Sequence, residues 1–223
     1  MARPRTAVQL VALLDRELSW RRTDLLFGLR LVNNATGDVD SAVRAAIPLL
    51  YAHWEGFIKR SSLHYSSFLS AQRLRFADVK TSLSGLRAQG HVLALADVKK
   101  KIFATSELVE AIRSIESERL IIPLGSHIDR LGNLNHEMLM QLVKFLGLPI
   151  ENYVAFGPLI DEALLSHRNR IAHGEFLDVS RDRYREMHSE VVAVIERFKA
   201  DLEDAATTKS YRRHSEALSP AAE

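Results

Sequence analysis

The chain has 223 residues, of which 47% are hydrophobic and 26% charged, with no cysteine and a formal net charge of +2. The length fits one large domain or two small ones, and the absence of cysteine excludes disulfides, thiolate metal sites and a cysteine nucleophile. Lys and Arg (30) nearly balance Asp and Glu (28), so global charge announces no nucleic-acid binder, although the pI near 8.9 leans basic.

Ten glycines and six prolines are few for this length and argue against an all-β fold built on tight turns. The stretch after the basic start is broken by Gln9 and soon meets Asp15, Arg16 and Glu17, which does not fit a signal peptide. No apolar run approaches the roughly 20 residues that span a bilayer. The expectation is a cytoplasmic protein without membrane contact.

Helical periodicity dominates. From Val8 to Val32, apolar residues recur three and four apart through Val11, Leu14, Leu18, Leu25 and Leu29, with Leu10 and Leu13 as the alternative start. Asn33 to Asp38 reads as a turn. Asp38 or Asp40 can cap a second helix running to about Gln72, in which Pro48 either bends the helix or marks its true first turn. Leu49 to Lys59 is apolar nearly all round and reads as the most buried helix. Phe76 to about Ala96 reads as a helix broken at Gly85 and Gly90. Thr105 or Ser106 can cap a short helix ending near Ser117, and Ile121 to Leu124 allows an extended segment.

Asn133 to Glu137 then resembles a cap for a helix through Met138, Leu142 and Leu146, stopped by Gly147. Pro158 suits the first turn of a further helix running into His167-Arg168-Asn169-Arg170-Ile171-Ala172-His173, with Gly174 as its stop. Ser180 caps a last long helix with the stripe Tyr184, Met187, Val191, Ile195, Phe198 and Leu202. The expected architecture is all-α: an antiparallel helical bundle with additional short helices, one domain over 1–207 and a flexible tail over 208–223.

One segment carries chemistry. Arg168 presents a planar fork of donors that fits a phosphate, and His173 can move a proton near neutral pH. Cleaving RNA without a metal requires those two abilities: a proton must leave the 2′-hydroxyl or reach the departing 5′-oxygen, and charge on the phosphorane must be stabilised. Asn169 and His173, four apart, share a helical face. Arg168 and His173, five apart, point about 140° from each other in a regular helix. Both reach one phosphate if the helix ends near His173, or if two copies pool their residues. The plainer reading of the same residues is a histidine closing a helix C-terminus and an arginine paired with a carboxylate.

Other polar residues read plainly. The nine histidines form no zinc-type spacing. His64 and His91 are placed at the surface or in loops, and Ser61-Ser62 and Ser66-Ser67 lack a nucleophile context. Trp20 and Trp54 serve as core or interface anchors. Lys99-Lys100-Lys101 reads as a solvated face, with an RNA backbone as its alternative ligand.

Arg168-Asn169-xxx-His173 resembles the RNxxxH form of the signature of the HEPN superfamily, all-helical domains named for higher eukaryotes and prokaryotes nucleotide-binding. Arg168 to Glu175 is similar to the fuller RNxIAHGE string of the defence-associated MAE-type and RiboL-PSP-type groups, and Trp54-Glu55-Gly56-Phe57-Ile58-Lys59 to their WEGFIK helix. The Asn133-Leu134-Asn135 cap and Leu146-Gly147-Leu148 follow in the family's order, so the resemblance covers about 39–202.

It implies a metal-independent endoribonuclease without cofactor, usually a homodimer whose two signature segments line one cleft. It further implies action on RNA as a toxin or abortive-infection effector, with an antitoxin or defence-system protein as the expected partner. Arg168 then holds the phosphate, His173 acts as general acid or base, and Asn169 orients phosphate or ribose. Glu55, Arg170 and Glu175 are supporting positions. A carboxylate on an apolar helix needs a partner, for which Arg168 or Arg170 is the expected choice; Glu55 either tunes the site or makes a structural pair. The alternative from another class is a non-catalytic module binding a nucleotide, RNA or a protein.

Overall fold

The computed structural model describes residues 3–96, 104–128 and 132–213. Lys99-Lys100-Lys101 lies outside them. The chain order is α1 (Ala7–Asn34), α2 (Val39–Ala71), two 3-10 turns (Phe76–Asp78 and Thr81–Ser84), α3 (Gly85–Ala96), α4 (Ala104–Ser117) and α5 (Gly125–Ile128). Then come α6 (His136–Leu146), two more 3-10 turns, a π-helical segment (Pro158–Leu165), α7 (Ser166–Ala172) and α8 (Arg181–Thr208). Among the described residues the only extended pairings are isolated bridges, Arg75 with Arg119 and Val79 with Arg212. No described helix is long and apolar enough to cross a membrane.

The helices start where their caps say. Thr6, Asp38, Asn135 and Ser180 each accept a hydrogen bond from the backbone N–H three residues on. Gly147 stops α6 in the left-handed region, φ 72°. Pro48 neither opens nor interrupts α2. Gly85 begins α3, and Gly90 lies inside that helix rather than breaking it.

Helices α1, α2 and α8 form the central packing unit. The α8 stripe of Tyr184, Met187, Val191, Ile195, Phe198 and Leu202 is fully buried, as is Trp54 of α2. In α1 the buried line is Leu10, Leu14, Leu18, Arg21, Leu25 and Val32; Val8 is exposed, and an arginine occupies the slot between Leu18 and Leu25. Because α2 is enclosed on most sides, His64 is buried against Glu17 rather than lying at the surface. Ser61, Ser62, Ser66 and Ser70 are also buried, three of them donating to backbone carbonyls of their own helix.

The C-terminal segment is packed further than expected. Beyond α8, Tyr211 is buried, its carbonyl accepts from Lys80 N, and Arg213 N donates to the Asp78 carbonyl. The segment 209–213 is therefore part of the folded unit.

Asp201, on α8, accepts from the Tyr153 hydroxyl (2.7 Å) and from Asn152 Nδ2 (3.0 Å), tying the 150–156 turns to α8. Burial, followed by the Asp201 carboxylate, pushes the Tyr153 hydroxyl far above the ordinary tyrosine range, so it stays a donor. Tyr153→Phe is expected to destabilise the chain by about 1.5–3 kcal/mol, the range for a hydrogen bond to a charged group, read as a lower urea midpoint with an unchanged slope.

Candidate active site

The signature lies at a helix end whose geometry is fixed by the chain itself. Helix α7 stops at Ala172, and His173 is its cap residue with φ −89° and ψ 5°. Gly174 has φ 74°; its N–H donates to the Ile171 carbonyl and Glu175 N to the Arg170 carbonyl. These two bonds make a Schellman motif, which requires the left-handed residue that glycine supplies without strain. The His-Gly-Glu part of the string thus has a backbone function: it ends the helix at His173. That meets the first of the two conditions for Arg168 and His173 to approach one phosphate.

Arg168 is half-buried. Its guanidinium donates to Asn169 Oδ1 (2.8 Å) and lies 5.1 Å from the Tyr51 ring centroid. No carboxylate pairs with it among the described residues. Asn133 Nδ2 approaches the same Asn169 oxygen at 3.5 Å. Asn169 is thereby oriented by two donors. The His173 side chain is exposed, and no hydrogen bond or ion pair within the described residues holds its imidazole. This leaves Arg168 without a carboxylate partner and the His173 imidazole without a hydrogen-bond partner among the described residues.

Glu55 corrects the expected pairing. Its Oε1 accepts from Leu134 N (3.0 Å) and pairs with Lys59 Nζ (2.8 Å); Lys59 also donates to the Gly132 carbonyl (3.0 Å). Arg170 instead pairs with Glu175 (3.1 Å) and donates to the Phe176 carbonyl, clamping the turn after α7. That exposed pair stands apart from the Arg168–Asn169–Asn133 group and contributes little stability.

Tyr51, Glu55 and Lys59 recur four apart on one face of α2, the face that meets α7 and residues 132–134. The Tyr51 hydroxyl donates to the Leu134 carbonyl (3.3 Å), and burial, then the Glu55 charge, raises its pKa well above the usual tyrosine range. Glu55 is a brace: it holds the Leu134 backbone, and with it Asn133, against α7. Tyr51, Lys59 and Asn133 were not among the site residues expected from sequence, although Asn133 and Lys59 stand in segments that carry the resemblance. The four-residue spacing of Tyr51, Glu55 and Lys59 was the available signal for two of them.

The sequence model of the RiboL-PSP-HEPN family matches residues 16–204. The chain belongs to the RiboL-PSP-HEPN family. No curated protein and no solved structure matches it. This HEPN domain therefore comprises α1 from its third turn, all of α2 and nearly all of α8, with the signature segment between α2 and α8.

A cleft of about 500 Å³ borders α7 on the side facing α8, lined in part by His167, Glu162, Arg183 and Glu190. Its lining includes none of Arg168, Asn169 and His173. Burial, then Arg170 and Arg183, push the His167 pKa down and so favour its neutral form.

The brace gives a graded expectation. Glu55→Gln keeps an oxygen that can accept from Leu134 N, whereas Glu55→Ala removes it. Glu55→Ala should therefore increase proteolytic cleavage at 132–134 several-fold relative to the wild type, and Glu55→Gln much less, as read by limited proteolysis and mass spectrometry.

Proposed function

We propose that this HEPN domain is a metal-independent endoribonuclease. The observation that carries the reading is Arg168: a half-buried guanidinium without a carboxylate partner, oriented by Asn169, five residues before a histidine freed by the end of its helix. A permanently charged fork so placed fits a phosphate diester.

In the reaction the 2′-oxygen attacks the adjacent phosphorus and the bond from phosphorus to the 5′-oxygen breaks. The products are a 2′,3′-cyclic phosphate and a free 5′-hydroxyl. His173 takes the 2′-hydroxyl proton or supplies one to the 5′-oxygen, and Arg168 stabilises the extra negative charge on the phosphorane. Asn169 positions the Arg168 fork. RNA is the substrate class because its own 2′-hydroxyl is the nucleophile.

The site is completed by a second copy of the chain. In one chain His173 is exposed and Arg168 half-buried, and pairing two signature segments supplies one histidine for each proton transfer. A toxin or abortive-infection role, restrained by an antitoxin or defence partner, follows from the family resemblance.

The test is incubation of purified protein with total RNA in EDTA, beside Arg168→Ala and His173→Ala. Cleavage that both substitutions abolish supports the enzyme. An inert wild type that still binds RNA assigns the domain to the non-catalytic modules.

A further inference from the structure

A pair of like charges lies away from the signature. Arg75 and Arg119 face each other across an antiparallel bridge. The flanking bonds are Phe76 N to the Glu118 carbonyl (3.1 Å) and Leu120 N to the Leu74 carbonyl (2.8 Å). That pattern makes Arg75 and Arg119 a non-hydrogen-bonded pair, the arrangement with the closer side chains, Cα atoms about 4.5 Å apart.

Both arginines are exposed, and neither side chain has a carboxylate partner among the described residues. The nearby carboxylates are engaged elsewhere: Asp78 accepts from Arg75 N, Glu118 takes a two-pronged contact from Arg87, and Glu116 meets Arg213. Like charges directly opposite are destabilising. Arg73, also exposed, adds a third cation while holding φ 60°, a conformation that glycine adopts with less strain.

The chain after Arg119 runs along α2 toward the candidate active site. Ile122 N donates to Ser70 Oγ (3.1 Å), Gly125 lies beside Leu63, Lys59 reaches the Gly132 carbonyl, and Glu55 holds Leu134 N. The contacts descend α2 in order from Ser70 to Glu55. Ile122 marks Ser70 and Arg168 lies over Tyr51, nineteen helical residues away, so the arginine pair beyond Ser70 stands roughly 28 Å or more from Arg168, the span of about eight stacked nucleotides.

We propose that Arg75 and Arg119, with Arg73 beside them, form an exosite for the phosphate backbone of single-stranded RNA. The exosite holds substrate on the α2 side of the domain while a phosphate about eight nucleotides away sits at Arg168. The inference rests on the ribonuclease reading for its substrate class.

The test uses the full chain with His173→Ala, so that RNA stays intact, and measures fluorescence anisotropy of labelled RNA against KCl concentration. With RNA of about 20 nucleotides, adding Arg75→Ala and Arg119→Ala should weaken binding about 25-fold near 0.1 M salt. The slope of log affinity against log salt should fall by about 1.4, two phosphate contacts at 0.7 each. Arg75→Lys with Arg119→Lys keeps both charges and should retain most of the slope, and Arg73→Gly alone should reduce it by about 0.7. Affinity for RNA of about four nucleotides, too short to span both places, should fall much less, because such RNA never engages the two together.

An unchanged affinity and slope in the alanine pair overturns the exosite, as does an equal loss on the short RNA. Poly-glutamate binding that depends on the pair, with RNA binding unchanged, would assign the surface to an acidic protein instead. Absence of EDTA-resistant cleavage by the wild type would count against the ribonuclease reading while leaving these binding results interpretable.

Discussion

His173→Ala is expected to lower the rate of RNA cleavage in EDTA by about 10²–10⁴-fold, the usual contribution of a positioned acid or base. Arg168→Ala should cost about 10²–10³-fold, because the charge that meets the phosphorane is lost. Arg168→Lys separates charge from geometry: it keeps the cation but loses the planar fork and the tie to Asn169, so its rate should fall between wild type and alanine. Asn169→Ala removes only the group that orients Arg168 and should have a smaller effect. The double variant should be little worse than His173→Ala, since residues that act as a unit are not additive. Mixing Arg168→Ala chains with His173→Ala chains tests the composite site: a mixed dimer keeps one arginine and one histidine in its cleft, so activity should partly return. Rates at the wild-type level in both single variants would refute the assignment. No recovery on mixing would refute the pooled cleft.

The sequence made the long elements legible and left the unusual ones hidden, for physical reasons. Helices α6 and α8 carry a cap, a one-sided stripe and, for α6, a left-handed glycine, and these local signals agree with one another. Segment 158–165 keeps its Pro158 start but winds as a π-helix. An extra residue per turn has no composition of its own, so no pattern announces it. It nevertheless sets the rotation with which α7 presents Arg168 and Asn169. Segment 209–213 is too short for periodicity, and a single tyrosine, Tyr211, decides that it packs.

Glu55 shows how a correct premise led to the wrong partner. A carboxylate on an apolar helix does need a counter-charge, and Lys59, four residues on, is the one a helix delivers without tertiary information. The arginines looked better suited only because they belong to the signature. His64 erred the other way: its polarity outweighed the apolar character of the helix around it, and the fold buried it with Glu17.

Glu17→Ala is expected to destabilise the fold by about 3–5 kcal/mol, the range for leaving one member of a buried ion pair alone. The charge left behind is Arg21, which pairs with Glu17 at 2.5 Å; it is only 6% exposed, lodged 4.2 Å from the Trp20 ring centroid, and a methyl group at Gly56 would come within 3.3 Å of it. Arg60, 3.7 Å from Glu17, and the half-exposed Asp24 complete the charges nearby. Replacing the pair together, Glu17→Leu with Arg21→Met, should recover most of the loss, because an apolar pair of similar volume avoids burying any charge.

The same cluster sets the pH response. Burial alone would raise the Glu17 pKa, but hydrogen bonds from Arg21 and His64 outweigh it and the net shift is downward. Glu17 therefore contributes stability above its unfolded pKa near 4.3 that is lost as pH falls through its lower folded value. His53 and His64 are pushed below the ordinary histidine range, mainly by burial. The unfolded chain binds their protons first, so stability also declines as pH drops below about 6.5, by at most about 1.4 kcal/mol per pH unit for each histidine. Urea midpoints at pH 7.5, 6 and 5 should therefore fall steadily in the wild type. In Glu17→Ala, His64 loses the carboxylate that favours its protonated form, so its pKa moves further down and its part of the decline extends to lower pH. Trp20, edge-on to His53 at 5.3 Å, reports the local protonation by fluorescence. A Glu17→Ala midpoint equal to the wild type at pH 7.5 would show that Arg21 finds solvent on its own and that the pair is not a structural requirement.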